Sequence, residues 1–112
     1  MTPSTSYPTD LGVSMSNRVL RHKRDRLAYA IGVDEMYWAF GGSREAPRGV
    51  RRGSRLWVAN RGRWVGYFTV KLVDVHDISD ALIFSPLAFH PRDGGPRTPF
   101  RGYTLRVPPR EV

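Results

Sequence analysis

The stretch 54–75 limits the possible folds of this chain more than any other part of it. Arg55-Leu56-Trp57-Val58-Ala59 and Trp64-Val65-Gly66-Tyr67-Phe68-Thr69-Val70-Lys71-Leu72-Val73 flank Asn60-Arg61-Gly62-Arg63. Two runs of β-branched and aromatic residues around a glycine that can take a positive φ predict a hairpin closed by a tight turn or a G1 bulge. The second run is apolar on both faces near its middle, and Gly66 gives it a place to bend. Long, bent strands of this kind belong to small closed barrels rather than to open one-sided sheets.

The flanks fit around that hairpin. Met36-Tyr37-Trp38-Ala39-Phe40, followed by Gly41-Gly42, predicts a strand closed by a turn, and residues 43–53 predict a basic loop around Pro47, Gly49 and Gly53. Upstream, Leu20, Leu27 and Ile31 share one helical face with Ser16 or Asn17 as an N-cap, so a short helix is expected, although Leu27, Tyr29 and Ile31 also alternate as a strand would. Gly32 ends either element. Downstream, 78–89 is apolar and interrupted by Pro86, and 91–99 is turn-rich. The run 100–107 predicts a last strand with Tyr103, Leu105 and Val107 on one face, stopped by Pro108-Pro109. Residues 1–17 are rich in Ser, Thr and Pro with Asp10 their only charge, which predicts a disordered tail; Met15 is an alternative start that would make the first fourteen residues dispensable.

At 112 residues the chain is one small domain, 18–112, with a single compact core. It has no cysteine, which excludes disulfide frameworks, thiolate zinc sites, iron–sulfur clusters and thiol nucleophiles. No apolar run approaches the roughly 20 residues of a membrane span, and the first residues lack the order of a secretory signal. A soluble, cytoplasmic protein without a membrane partner is the expectation.

The net charge is +8, and 16 of the 18 basic residues are arginine. Residues 44–63 carry +6 of it, 18–26 carry +4 and 92–112 carry +3, offset by acidic stretches elsewhere. Arg44, Arg48, Arg51, Arg52, Arg55, Arg61 and Arg63 are interleaved or flanked by Trp38, Trp57 and Trp64. Guanidinium groups pair with phosphate bidentately and indole faces accept stacked bases, so a groove holding both would bind single-stranded or distorted nucleic acid. The competing reading makes the arginines a solvated surface and the tryptophans core. Tyr37, Trp38, Phe40, Trp57, Trp64 and Tyr67 would also suffice for a cage around a flat or cationic group, against plain core packing.

Other chemistry is poorly served. Asp74, His76, Asp77, Asp80 and His90 match no metal-ligand spacing, so neither a metal nor another cofactor is expected. Ser43, Ser54, Ser79 and Ser85 stand in no nucleophile elbow, and His90 with Asp93 or Glu45 is a general acid–base pair only if the fold brings them together. No catalytic residue is assigned, and a binding module is favoured over an enzyme.

The order of aromatic strand, basic Gly-rich loop, Gly53-Ser54-Arg55-Leu56-Trp57-Val58, hairpin, Trp64-Val65-Gly66-Tyr67-Phe68-Thr69-Val70 and Arg101-Gly102-Tyr103-Thr104-Leu105-Arg106-Val107 resembles the PUA-like β-barrel superfamily, particularly its ASCH and EVE branches, over residues 36–107. The Gly-x-Lys-x-x-Glu-x-Arg signature of ASCH domains is absent; Gly41, Gly42, Arg44 and Glu45 echo it at another spacing. The resemblance implies a pseudo-barrel with RNA or a modified nucleotide bound in a cleft beside it.

The expected fold is thus mainly β, a small PUA-like pseudo-barrel with one or two short helices and a disordered N-terminal tail. The expected function is nucleic-acid binding, RNA before DNA, with the arginines on phosphates and an indole on a base. Two alternatives stand beside it: an accessory module of phage or mobile-element type that binds an acidic protein, and a small ASCH-like enzyme that cleaves RNA through His90, His76 or Glu45.

Overall fold

The computed structural model describes residues 7–15, 30–32, 35–40, 44–75 and 79–110. Seven strands, β1 (Leu11–Ser14), β2 (Ala30–Gly32), β3 (Glu35–Ala39), β4 (Arg55–Asn60), β5 (Arg63–Asp74), β6 (Ala81–Pro96) and β7 (Tyr103–Thr104), form one sheet in the order β2-β3-β6-β5-β4-β1-β7. Every pairing is antiparallel except β1 with β4.

The hairpin forms as the turn chemistry predicts. Asn60 pairs with Arg63, and Arg61 and Gly62 between them have φ of 53° and 78°. Positive φ at both central residues is the type I′ arrangement, whose twist matches that of the flanking strands.

The sheet curls. On a flat sheet β3 and β7 would lie five strand spacings apart, about 24 Å. Instead Phe40, just past β3, meets Tyr103 of β7 edge to face with ring centroids 5.4 Å apart. The result is a half-barrel whose inner face carries alternate residues: Leu11 and Val13 from β1, Leu56 and Val58 from β4, Phe68 and Val70 from β5, and Leu82 and Phe84 from β6.

Bulges make the curl possible. Gly66 of β5 pairs with Pro91 while Trp64 pairs with Gly95, so three residues of β6 stand opposite one of β5. A second bulge sets 85–88 against Thr69. Extra residues of this kind bend a strand and increase its twist. Gly66, at φ 153°, lies under the Phe89 ring and the His90 carbonyl, and any side chain there would collide with both.

The intervening residues of β4 and β5 face outward, yet they are buried too. Trp57, Ala59, Trp64 and Tyr67 form a second cluster, covered by Phe100 and Val107. The segment 97–110 is therefore a strap over the outer face of the hairpin. It is tied at one end by Arg97 N–H to the Gly62 carbonyl (2.7 Å) and at the other by Arg110 Nη2 to the Gly53 carbonyl (2.8 Å).

Four expectations change. Residues 7–15 are part of the fold: β1 inserts between β4 and β7, and Leu11, Val13 and Met15 are buried, so the disordered-tail boundary at 17 and the dispensability of residues 1–14 do not hold for this stretch. The run Leu11-Gly12-Val13 is too short to show an apolar period, and its outer side is covered by Trp64, whose ring lies where a Gly12 side chain would be. The expected helix falls mostly on 16–29, outside the described residues; its last part, Ala30–Gly32, is a strand, and no helix occurs among the described residues. The turn-rich stretch 91–99 is strand up to Pro96, with Gly94 inside the bulge and Pro91, Gly95 and Pro96 paired with β5 on either side of it. The last strand shrinks to Tyr103–Thr104: Tyr103 packs on the inner core, Val107 on the outer cluster, and Leu105 is 52% exposed.

Candidate functional site

The basic loop is irregular but held at many points. Val50 N–H bonds to the Pro47 carbonyl (3.1 Å) and Ser54 N–H to the Arg51 carbonyl (2.9 Å), giving two successive turns. Gly49 and Gly53 stand third in them with φ of 88° and 93°, the conformation a type II turn requires there. Arg48 and Arg52 therefore occupy equivalent corners of tandem turns, and both are exposed.

Around the turns the backbone is pinned to the sheet. Thr9 N–H reaches the Gly49 carbonyl, Gly53 and Ser54 exchange bonds with Val70, and Asp80 holds the loop entrance by giving its N–H to the Arg44 carbonyl and accepting Ala46 N–H (2.8 Å) on its carboxylate. Ser54 is fully buried with its hydroxyl oxygen accepting Arg51 N–H (2.9 Å), so it is a turn residue and no free nucleophile. This loop presents Arg44, Arg48, Arg51 and Arg52 to solvent from a fixed backbone.

The nearby carboxylates are largely spent on structure. Asp10, its side chain 9% exposed, accepts Nε and Nη2 of Arg110 (2.9 and 2.7 Å) and Arg55 N–H (2.8 Å). Asp80 is committed as above. Glu45 is the one exposed acid within the loop.

The remaining sequence-predicted residues sit elsewhere. Arg55 is half-buried, its guanidinium 4.5 Å from the centre of the Tyr67 ring. Arg61 and Arg63 are at the far end of the hairpin, six residues of β4 away, about 20 Å. Arg63 pairs with Asp93 (2.7 Å), and that carboxyl is held below its ordinary value by the Gly95 N–H and by the Arg63 guanidinium. The two flank an open groove of about 410 Å³, lined also by Trp64, Val65, Pro91 and Arg92. The seven arginines thus form two groups at opposite ends of one hairpin, with Arg55 at the loop end and stacked on Tyr67.

The tryptophans divide the same way. Trp57 is 1% and Trp64 4% exposed under the strap, so neither offers a face to a base in this conformation. Burial of the Trp57 indole leaves its N–H without an acceptor. Trp38 is half-buried, edge-on to Phe40 at 4.9 Å, and belongs to the inner core with it. Tyr37, Trp38 and Phe40 are therefore not in one cage with Trp57, Trp64 and Tyr67: strand alternation sends the outer three under the strap.

No group of metal-ligating side chains occurs among the described residues; His76 and Asp77 lie outside them. His90 stacks on Tyr67 at 4.9 Å, and Asp93 is engaged with Arg63.

The site residues that sequence reasoning missed are on the strap. Arg97 lies over Phe100 (5.0 Å) and Trp64 (6.0 Å), with its Nε buried and without an acceptor, and Arg101 and Arg106 are exposed. Their only sequence signal is the +3 charge of 92–112. Among the described residues no helix is long and apolar enough to cross a membrane. Compared with known proteins, the chain matches no family model, no curated protein and no solved structure.

Proposed function

We propose that this protein binds nucleic acid, RNA before DNA, through the arginines of the loop 44–54. The observation that carries the reading is the pinned pair of turns, which sets exposed arginines on a rigid frame while Asp10 and Asp80 are consumed by backbone and strap contacts. A backbone already ordered adds no loop-ordering cost on binding, which leaves side-chain ordering and desolvation as the costs set against the guanidinium–phosphate contacts. Base stacking by Trp57 and Trp64 is not part of the proposal, because both are covered. The preference for RNA and the PUA-like relationship rest on the sequence resemblance, with which a curled, mainly β sheet agrees, and the cytoplasmic setting rests on the cysteine-free composition.

Phosphate contacts release counterions, so affinity falls linearly on a log–log plot against salt, by about 0.7 per contact for a single strand. Fluorescence anisotropy with a labelled single-stranded RNA between about 50 and 200 mM salt measures this slope. Replacing Arg48, Arg51 and Arg52 together by Gln is expected to lower the slope by about 2 and weaken binding at every sequence tested. Absence of binding at the lowest salt, or an unchanged slope in the triple variant, overturns the proposal.

A further inference from the structure

The loop arginines and the hairpin-tip arginines are too far apart to grip one phosphate, but the strap joins them. It begins beside Gly62 at the tip, where Arg97 is bonded, and ends beside Gly53 at the loop, where Arg110 is bonded. Its central part pairs antiparallel with β1, which runs parallel to β4, so the strap follows the hairpin from tip to base. Along this path Arg101 and Arg106 are exposed, and neither is spent on an ion pair with a described residue. Arg97 adds a guanidinium that, among the described residues, has no carboxylate partner and whose plane is held by Trp64 and Phe100.

We infer that the strap is a cationic track for a single phosphodiester strand, which lies along 97–106 and joins the hairpin tip to the turns at Arg48 and Arg52. This rests on the nucleic-acid reading and adds a length requirement. The two ends are about 20 Å apart, and a stacked strand carries one phosphate per roughly 3.4 Å, so about six nucleotides are needed to reach both. Shorter strands hold one end only and lose the gain that comes from linking two sites.

The test is a length series of single-stranded uridylate oligomers of about 4, 6, 8 and 12 nucleotides, measured by anisotropy at one low salt concentration. The expected result is a rise in affinity of at least about tenfold between 4 and 8 nucleotides, beyond the few-fold gain from added binding registers. In the Arg101→Gln/Arg106→Gln double variant, whose changed side chains are exposed, that step is expected to vanish, so that the 8-mer binds no more than a few-fold more tightly than the 4-mer. Affinity that grows only in proportion to length, or a step that survives the double variant, overturns the track and leaves the loop site standing. Failure of every oligomer to bind removes the underlying reading instead.

Discussion

The loop 44–54 and the strap 97–110 are both irregular, both punctuated by Gly and Pro, and each carries four arginines, yet they are held in opposite ways. In the loop the backbone does the holding, through two turns and bonds to Thr9, Val70 and Asp80, and the arginine side chains are left outside. In the strap the side chains do much of it: Arg97 lies on two aromatic rings, Arg110 closes on Asp10, and Phe100 and Val107 seal the outer cluster. An arginine is functional surface or structural fastener according to what stands beside it. A carboxylate or a ring recruits it into the fold; a turn backbone that satisfies itself leaves the side chain on the surface.

Residues 7–15 fasten both regions. Thr9 ties the loop at Gly49, Asp10 ties the strap at Arg110, and β1 lies between β4 and β7. The largest expected effect is therefore that of a chain begun at Met15, which loses both ties and the buried Leu11 and Val13 together. Urea unfolding followed by circular dichroism should show no cooperative transition for it, and Leu11→Ala in the full chain should cost about 3 kcal/mol. A truncated chain with the full-length midpoint would show that neither region depends on this segment.

A smaller contrast separates the two kinds of arginine. Arg110 and Asp10 are 18% and 9% exposed at their side chains, and removing one partner of a mostly buried pair strands the other. Arg110→Ala is expected to lower stability by about 3 kcal/mol, whereas Arg48→Ala, at an exposed turn corner, should change it by no more than about 0.5 kcal/mol. On the proposed reading the order reverses for the loop residue: Arg48→Ala is expected to weaken RNA binding and to reduce the salt slope by about 0.7. Equal losses of stability in the two variants would erase the distinction between fastener and surface.

These assignments show which parts of the molecule its sequence makes legible. The hairpin was readable because its determinants are local: Gly62 at the turn, alternating apolar residues beside it, and Gly66 at the bend. The basic loop was readable for the same reason. The arrangement of its arginines relative to Arg61 and Arg63 was not, since neighbours in sequence are carried to opposite ends of a strand by the hairpin itself. β1 was hidden because what buries it is distant in sequence: Leu11 and Val13 join the inner core beside β4, and Trp64 covers Gly12 on the other face. The alternation in 100–107 pointed to a longer strand, but the chain leaves the inner core at Tyr103 for the outer cluster at Val107, so residues of one apparent face serve two. For Trp57 and Trp64 the choice between stacking and core was open in the sequence, because the residues that cover them, Phe100 and Val107, are distant along the chain.

At the hairpin tip the contrast between fastener and surface narrows to one exposed pair, and the expected effect is the smallest. The Asp93 carboxyl lies below its ordinary value of 3.8 because the Gly95 N–H and Arg63 both favour its charged form. A carboxylate favoured in the folded state contributes stability above its unfolded pKa, and that contribution disappears as pH falls through the folded value. Asp93→Asn should therefore lower the thermal midpoint slightly near neutral pH, with the gap to the unchanged chain closing below about pH 4. The effect is small because both side chains are largely in water, where screening weakens such pairs, and added salt should shrink it further. Asn can still accept the Gly95 N–H, so the substitution removes charge while leaving the turn its acceptor. A gap that persists at low pH and high salt would therefore assign Asp93 to the geometry of the β6 bulge and not to its charge.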